Sequence, residues 1–219
     1  MDAFLLARLV CELDEEWRGS WVQEAWQDED GRLILQLRRS GPASATRFLL
    51  LSPAPGAQGL GTVAERPPVP PRPPALAAYL RAHVTGGRLA FARCPPFERV
   101  VEFGIERQEG AFRVVLEATG RRGNVLILDA GGDVRSAWRW EPSESHPLRP
   151  LEPGRTYEPP PKPAGLVSPD RVTREGWEGW LAAGTPLHRA VAGLGPVLAR
   201  EAAERGWEGF RSLVDDYGS

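Results

Sequence analysis

Lysine is almost missing from this chain: of its 27 basic residues only Lys162 is lysine, and the rest are arginine. A Schiff-base mechanism therefore has one candidate amine, set in a proline-rich stretch. Cysteine is nearly as scarce. Cys11 and Cys94 lie far apart and form no C-x-x-C pair, which excludes a disulfide framework and a cysteine-rich zinc site. Two buried free thiols in a reducing compartment are expected instead. No apolar run approaches the roughly 20 residues that span a bilayer. The start, Met1 to Leu6, has no positive region and soon meets Glu12, Asp14, Glu15 and Glu16, so it is not a signal peptide. These absences point to the cytoplasm and away from membranes.

Catalytic signatures are missing too. The histidines, His83, His146 and His188, form no H-E-x-x-H or other paired ligand arrangement. His83 falls on an apolar helix face, where packing and chemistry compete as explanations. There is no G-x-S-x-G elbow and no phosphate-binding G-x-x-x-x-G-K-[ST] loop. Neither a metal nor a cofactor is expected, and the chain reads as a non-enzyme. Its net charge of −2 gives no overall pull toward nucleic acid, so any such contact must come from a local patch.

What is present is enough apolar residue, 42% of 219, for one sizeable core or for a domain with a smaller annex. Asp2 can cap a helix from Ala3, with Leu6, Leu9, Val10, Leu13 and Trp17 at helical spacing. Strands are expected at 21–27, 32–39 and 47–51, the first two joined by the hairpin signal Asp30-Gly31. Residues 53–61 read as a loop. Arg66 to Pro74 holds six prolines and suits a PPII ligand segment or a rigid lead-in to a helix at 75–84. Five more strands, at 89–93, 99–105, 112–118, 125–129 and 134–140, form an antiparallel meander by their short regular spacing. After a Pro-rich connector the composition turns to helix formers, with short helices at 177–182, 186–191, 197–205 and 207–217. The fold class expected is α+β: an antiparallel β-sheet or sandwich domain over 1–165, then a small all-α region over 166–219.

Three turns carry possible chemistry. Cys94-Pro95-Pro96-Phe97-Glu98-Arg99 leads into a strand. Gly120-Arg121-Arg122-Gly123-Asn124 sets two guanidinium groups on a glycine-hinged turn, able to meet phosphates or stack on bases, or to stand as a solvated hairpin. Gly193-Leu194-Gly195-Pro196 precedes a helix, as in helix-hairpin-helix phosphate binders, although an ordinary αα turn has the same form.

In order and spacing these pieces resemble one family, NFACT, also known as fibronectin-binding-protein-A-like. The resemblance runs from Asp2 and Leu5-Leu6-Ala7-Arg8-Leu9 through Pro67-Pro68 and Leu76-x-x-Tyr79-Leu80-Arg81-x-His83-x-x-Gly86-Gly87. It continues through Phe97-Glu98-Arg99-Val100-Val101, Leu116 to Asp129 and Leu151-x-Pro153-Gly154-x-x-Tyr157, and closes at Gly193 to Pro196 and Ala199-x-Glu201-Ala202. It implies an N-terminal domain resembling that of formamidopyrimidine-DNA glycosylases, followed by the start of a helix-hairpin-helix module, in a chain truncated before the family's coiled coil. It implies binding to the large ribosomal subunit (rRNA) that still bears peptidyl-tRNA after stalling, and recruitment of tRNA for untemplated alanine tailing, with peptide transfer left to the ribosome. The tRNA- and RNA-binding residues it implies are Asp2, Glu98, Arg99, Arg121, Arg122 and Asn124, and the phosphate-backbone hairpin is Gly193 and Gly195. Here the family's Asp-Arg pair is Glu98-Arg99, one methylene longer, and Gly123 stands where the family's turn usually has serine.

Two other readings bear on the same residues. A glycosylase needs an N-terminal proline amine followed by glutamate, and this chain begins Met1-Asp2-Ala3, so nucleic-acid binding without catalysis is all that fold relationship offers. A fibronectin-binding adhesin would be expected to carry a signal peptide or anchor.

Overall fold

The computed structural model describes residues 1–41 and 44–217. Asp2 caps helix α1 (Ala3–Trp17): its Oδ1 accepts the Leu5 N–H at 2.9 Å, satisfying one of the donors a helix start leaves open. Ala3, Leu6, Val10, Leu13 and Trp17 then fall on one buried stripe. Gly19, at φ 81°, lets the chain turn directly into a strand.

The described residues form nine strands in one antiparallel sheet. In chain order these are β1 (Trp21–Gln27), β2 (Leu33–Arg39), β3 (Ala45–Ser52), β4 (Gly59–Val63), β5 (Arg88–Arg93), β6 (Val100–Arg107), β7 (Gly110–Glu117), β8 (Asn124–Asp129) and β9 (Val134–Ala137), with helix α2 (Ala75–His83) between β4 and β5. Their order across the sheet is β4-β3-β2-β1-β5-β6-β7-β8-β9. Neighbours pair over three to eight residues within each half, but β1 meets β5 in register only at Trp21↔Arg88. At this narrow joint the sheet folds over, so that β1–β4 and β5–β9 face each other as a sandwich.

One core fills the space between the halves. Leu33, Leu35 and Leu37 of β2 and Leu49 and Leu51 of β3 join Val101, Phe103 and Ile105 of β6 and Leu116, Val125 and Ile127 of β7 and β8, with α1 and α2 completing the layer. Each large side chain so buried contributes about 1.5–3 kcal/mol. The rims interlock as well. Trp138 lies where a Cβ on Gly31 of the β1–β2 hairpin would be, and the Gln58 amide grips the main chain of Gly120, whose N–H it accepts at 3.1 Å. Strand β8 is apolar on both faces because both are covered: Val125 and Ile127 face the core, while Leu126 and Leu128 lie under Val134, Leu151 and Tyr157 of the segment that follows.

A second apolar cluster belongs to the C-terminal helices α3 (Arg174–Ala182) and α4 (Pro196–Asp215). Trp177 stacks on Phe210 with ring centroids 4.5 Å apart, and Leu187, Val191, Ala199, Ala202 and Val214 surround them. Gly206, at φ 70° and ψ −170°, breaks α4 into two helices, as the expected segments 197–205 and 207–217 require. Phe4 and Phe97, from α1 and the turn before β6, also pack into this cluster, so the helical unit is seated on the sheet domain.

The α+β class and the antiparallel meander agree with expectation. Four local features do not. Residues 53–61 are not all loop: Leu60 is buried and 59–63 pair with β3 as an edge strand, disguised by Gly59 and Gly61. Helix α3 starts earlier than Trp177, because Thr173 caps it with Oγ1 accepting the Gly176 N–H at 3.1 Å. The expected helix at 186–191 is one 3-10 turn, Leu187–Arg189. Strand β9 ends at Ala137, short of Trp140.

With the helical unit seated on the sheet domain through a few rings, Trp177→Ala is expected to loosen the helical unit first. Hydrogen exchange should rise across 174–215 while β6–β8 amides stay protected, with a stability loss of about 3–5 kcal/mol for that unit in urea titration. Uniform loss of protection across both units would show a single undivided core.

Candidate functional site

Three segments distant in sequence surround one open cleft of about 1040 Å³. They are the turn before β6, the Pro-rich connector after β9, and the hairpin that enters α4. Asp2, Glu98, Arg99, Arg122, Gly193 and Gly195 all line it, so six of the eight residues singled out from the sequence meet at one place.

The turn before β6 is held in an unusual shape. Phe97 has φ 58°, the only non-glycine residue with positive φ among the described residues, and such a conformation costs of order 1–3 kcal/mol. Its ring sits beside Phe4 (centroids 5.7 Å apart) and Tyr217 (4.4 Å). Its N–H donates to the Tyr217 hydroxyl at 2.8 Å, and the Cys94 thiol donates to the Glu98 carbonyl at 3.2 Å. Burial pushes that thiol up to about 12, with Glu98 adding to the effect, so it remains a protonated donor at neutral pH. While Phe97 is turned into the helical unit, Glu98 and Arg99 line the cleft. The Glu98 carboxylate pairs with Lys162 at 2.6 Å, and Arg99 has no ion pair among the described residues.

The β7–β8 turn supplies Arg122 to the cleft, while Arg121 is exposed outside it; neither guanidinium has an ion pair among the described residues. Gly123 packs on the Pro53 carbonyl so closely that no Cβ fits, which accounts for glycine at this position.

Asn124 is a correction to the sequence reading. It is fully buried, and every polar atom of its amide is engaged within the sheet: Nδ2 donates to the Arg139 carbonyl at 2.8 Å, and Oδ1 accepts the N–H groups of Val125 at 3.0 Å and Arg139 at 3.1 Å. It ties β8 to the chain beyond β9 and has no face left for RNA. Gly193 and Gly195, read from the sequence as a phosphate-backbone hairpin, also have a packing reason. They line the cleft, but a Cβ on Gly193 would meet the Phe97 carbonyl at 2.8 Å, and one on Gly195 would meet Asp2 Cβ at 3.0 Å and Oδ2 at 3.3 Å. The Gly193 carbonyl accepts the Ala3 N–H at 3.0 Å. Their bareness seats the hairpin on the start of α1, with the Asp2 carboxylate beside it.

A buried ion pair anchors the connector wall. Glu117, 1% exposed at the end of β7, takes the Arg149 guanidinium in a two-pronged pair and the Tyr157 hydroxyl at 3.0 Å. Burial raises the Glu117 carboxyl above its ordinary range, while Arg149 and Tyr157 pull it back. Arg149 also donates to the Glu158 carbonyl at 2.7 Å, which fixes the lead-in to Pro159-Pro160-Pro161 along the cleft.

Sequence reasoning missed several lining groups. His188 and Arg189 come from the 3-10 turn of the helical unit, and Arg189 has no ion pair among the described residues. Leu148 stands at the rim, 97% exposed. No residue spacing marks these three, since the docking of one unit on the other puts them there. Among the described residues no cluster of His, Cys, Asp and Glu has the form of a metal site, and no helix is long and apolar enough to cross a membrane.

Comparison with known proteins places this arrangement in context. The family described as NFACT N-terminal and middle domains matches residues 2–212. Among solved structures, the N-terminal part of the fibronectin/fibrinogen-binding protein of Streptococcus suis superposes with a TM-score of 0.82 at 23% identity, covering 99% of this chain and 85% of that one. The N-terminal domain of the fibronectin-binding protein PavA from Streptococcus pneumoniae gives 0.77 at 22% identity, covering 98% and 84%. The fibrinogen-binding protein of Staphylococcus aureus gives 0.80 at 19% identity, covering 100% and 82%. At these identities the likeness is one of fold. No curated protein matches the sequence.

Asn124→Ala separates scaffold from site. It strands the Arg139 and Val125 main-chain groups inside the sheet and is expected to lower stability by about 1–3 kcal/mol in urea titration. Ligand affinity measured on the folded fraction should not change; a selective loss of affinity at unchanged stability would restore a direct contact.

Proposed function

The chain belongs to the family of NFACT N-terminal and middle domains, and from this premise we propose that it binds tRNA and the large ribosomal subunit of a stalled complex, as the RNA-binding part of a ribosome-quality-control factor. The observation that carries the reading is the convergence of Arg99, Arg122 and Arg189, none with an ion pair among the described residues, on one open cleft. Many other arginines of the chain are spent on carboxylates: Arg8, Arg18, Arg32, Arg93, Arg113, Arg135, Arg149, Arg174, Arg205 and Arg211 all have acidic partners. Unspent guanidinium groups suit phosphates, which they grip through two parallel N–H donors.

The cleft also offers what unpaired nucleotides need. Pro159 to Pro161 and the exposed Leu148 present apolar faces to bases that have left a stack. Glu98 can accept from a base edge once Lys162, 80% exposed, swings to a phosphate. An exposed ion pair of this kind is worth about 0–1 kcal/mol, so opening it costs little. In this reading the protein works in the cytoplasm on peptidyl-tRNA-bearing subunits and supports alanine tailing by delivering tRNA. The ribosome performs the peptide transfer, and the chain itself is not an enzyme and uses no cofactor.

A second reading comes from the names of the structural neighbours, which are described as fibronectin- or fibrinogen-binding proteins. It assigns the same cleft or another face to an extracellular protein ligand. Binding assays run side by side with tRNA, large subunits and fibronectin distinguish the two.

For RNA, log affinity should fall linearly with log salt, and Arg99→Ala and Arg122→Ala should each lower the slope by about one phosphate contact. Arg38→Ala, at an exposed position of β2 away from the cleft, should leave the slope alone. Binding to fibronectin with none to tRNA or subunits at low salt would overturn the RNA reading.

A further inference from the structure

We infer that Tyr217, at the far end of the helical unit, is the positioning residue for the Glu98–Arg99 pair. The inference rests on the reading of the cleft as an RNA-binding surface. It follows from how the turn before β6 is made. Phe97 carries a left-handed backbone that a non-glycine side chain leaves unless its surroundings over-determine it. The groups that hold it come from elsewhere. The Tyr217 hydroxyl accepts the Phe97 N–H at 2.8 Å, across 120 residues of sequence. The Tyr217 ring lies 4.4 Å from that of Phe97 and 5.1 Å, edge-on, from that of Phe4. The Cys94 thiol, which donates to the Glu98 carbonyl, is also in hydrogen-bonding contact with the Tyr217 hydroxyl.

One phenol therefore touches both ends of the four-residue turn. With it in place, Phe97 points into the helical cluster and the next two side chains line the cleft. Without its oxygen, the Phe97 N–H has no acceptor, and the turn gains free energy by relaxing to an ordinary negative φ. Glu98 and Arg99 are then displaced together, although neither touches Tyr217 in the contacts that hold the turn. Burial raises the Tyr217 hydroxyl well above its ordinary range, so it remains neutral across physiological pH and keeps its role.

Tyr217→Phe tests this, because it removes only the oxygen and keeps the three-ring contact. Exchange of the Phe97 amide, read by NMR, should quicken about tenfold, the loss expected of one hydrogen bond. Alkylation of Cys94 in the native protein should quicken as well. Affinity for tRNA should fall about fivefold in the wild-type background and not at all in an Arg99→Ala, Glu98→Ala background, since a positioning residue has nothing left to position. A loss of affinity that is the same in both backgrounds marks a general structural role and overturns the inference. Unchanged Phe97 exchange overturns it also, whatever the RNA result. If the wild-type chain fails to bind tRNA at low salt, the RNA reading falls separately, and the amide exchange and Cys94 alkylation decide whether Tyr217 sets the turn.

Discussion

Phe97 is where the helical unit is seated on the sheet domain. Its ring packs against the apolar cluster of the helical unit, while its main chain leads into β6. Phe4 reaches the same point from the first turn of α1, directly after the Asp2 cap. Asp2 in turn lies against Gly195, and Ala3 binds the Gly193 carbonyl. The start of the chain, the turn before β6 and the hairpin before α4 thus meet in one packed contact. The cleft is the unfilled space beside it. Its walls depend on this contact for their spacing, because among the described residues no strand pairing joins the helical unit to the sheet.

This arrangement explains which parts of the protein were legible in the sequence. Elements whose reasons are local were readable: the Leu and Trp stripe of α1, the alternation in β2, the hairpin at Asp30-Gly31, the break at Gly206. Elements whose reasons are remote were not. Strand β4 carries two glycines and exists because β3 offers it an edge. The 3-10 turn at Leu187 is short because the chain just after it turns to pair with Val167, while the Leu187 side chain packs into the helical cluster. The site divides along the same line. Asp2, Glu98, Arg99 and Arg122 were found because family likeness picks out positions. His188, Arg189 and Leu148 come to the cleft through docking, which no local pattern encodes. Asn124 shows the converse: a polar residue in a suggestive turn, drawn inward because β8 needs a cross-link where β9 ends.

Charge is organised on a similar principle. A chain of net charge −2 can still present cations if the carboxylates are engaged elsewhere. Ion pairs along α1, across β6 and β7, and beneath the connector consume acidic groups together with their arginine partners. Glu117 is the deepest case: it neutralises Arg149 inside the wall and thereby fixes the proline run that faces the cleft. At the cleft this leaves Arg99, Arg122 and Arg189 without an ion pair among the described residues, beside the carboxylates of Asp2 and Glu158.

The narrow joint between β1 and β5 has a consequence for how the chain reaches this state. Within each half of the sheet every strand pairs with its neighbour in sequence, through short hairpins or loops. Contacts of that kind are cheap in loop-closure entropy and form early. The contacts that bring the halves together, and those that bring the far C-terminal Tyr217 back to Phe97, close much longer loops. Assembly is therefore expected to run from two hairpin arrays to a folded-over sheet and then to a seated helical unit. The cleft, which needs all three, is expected to form last and to open first on heating.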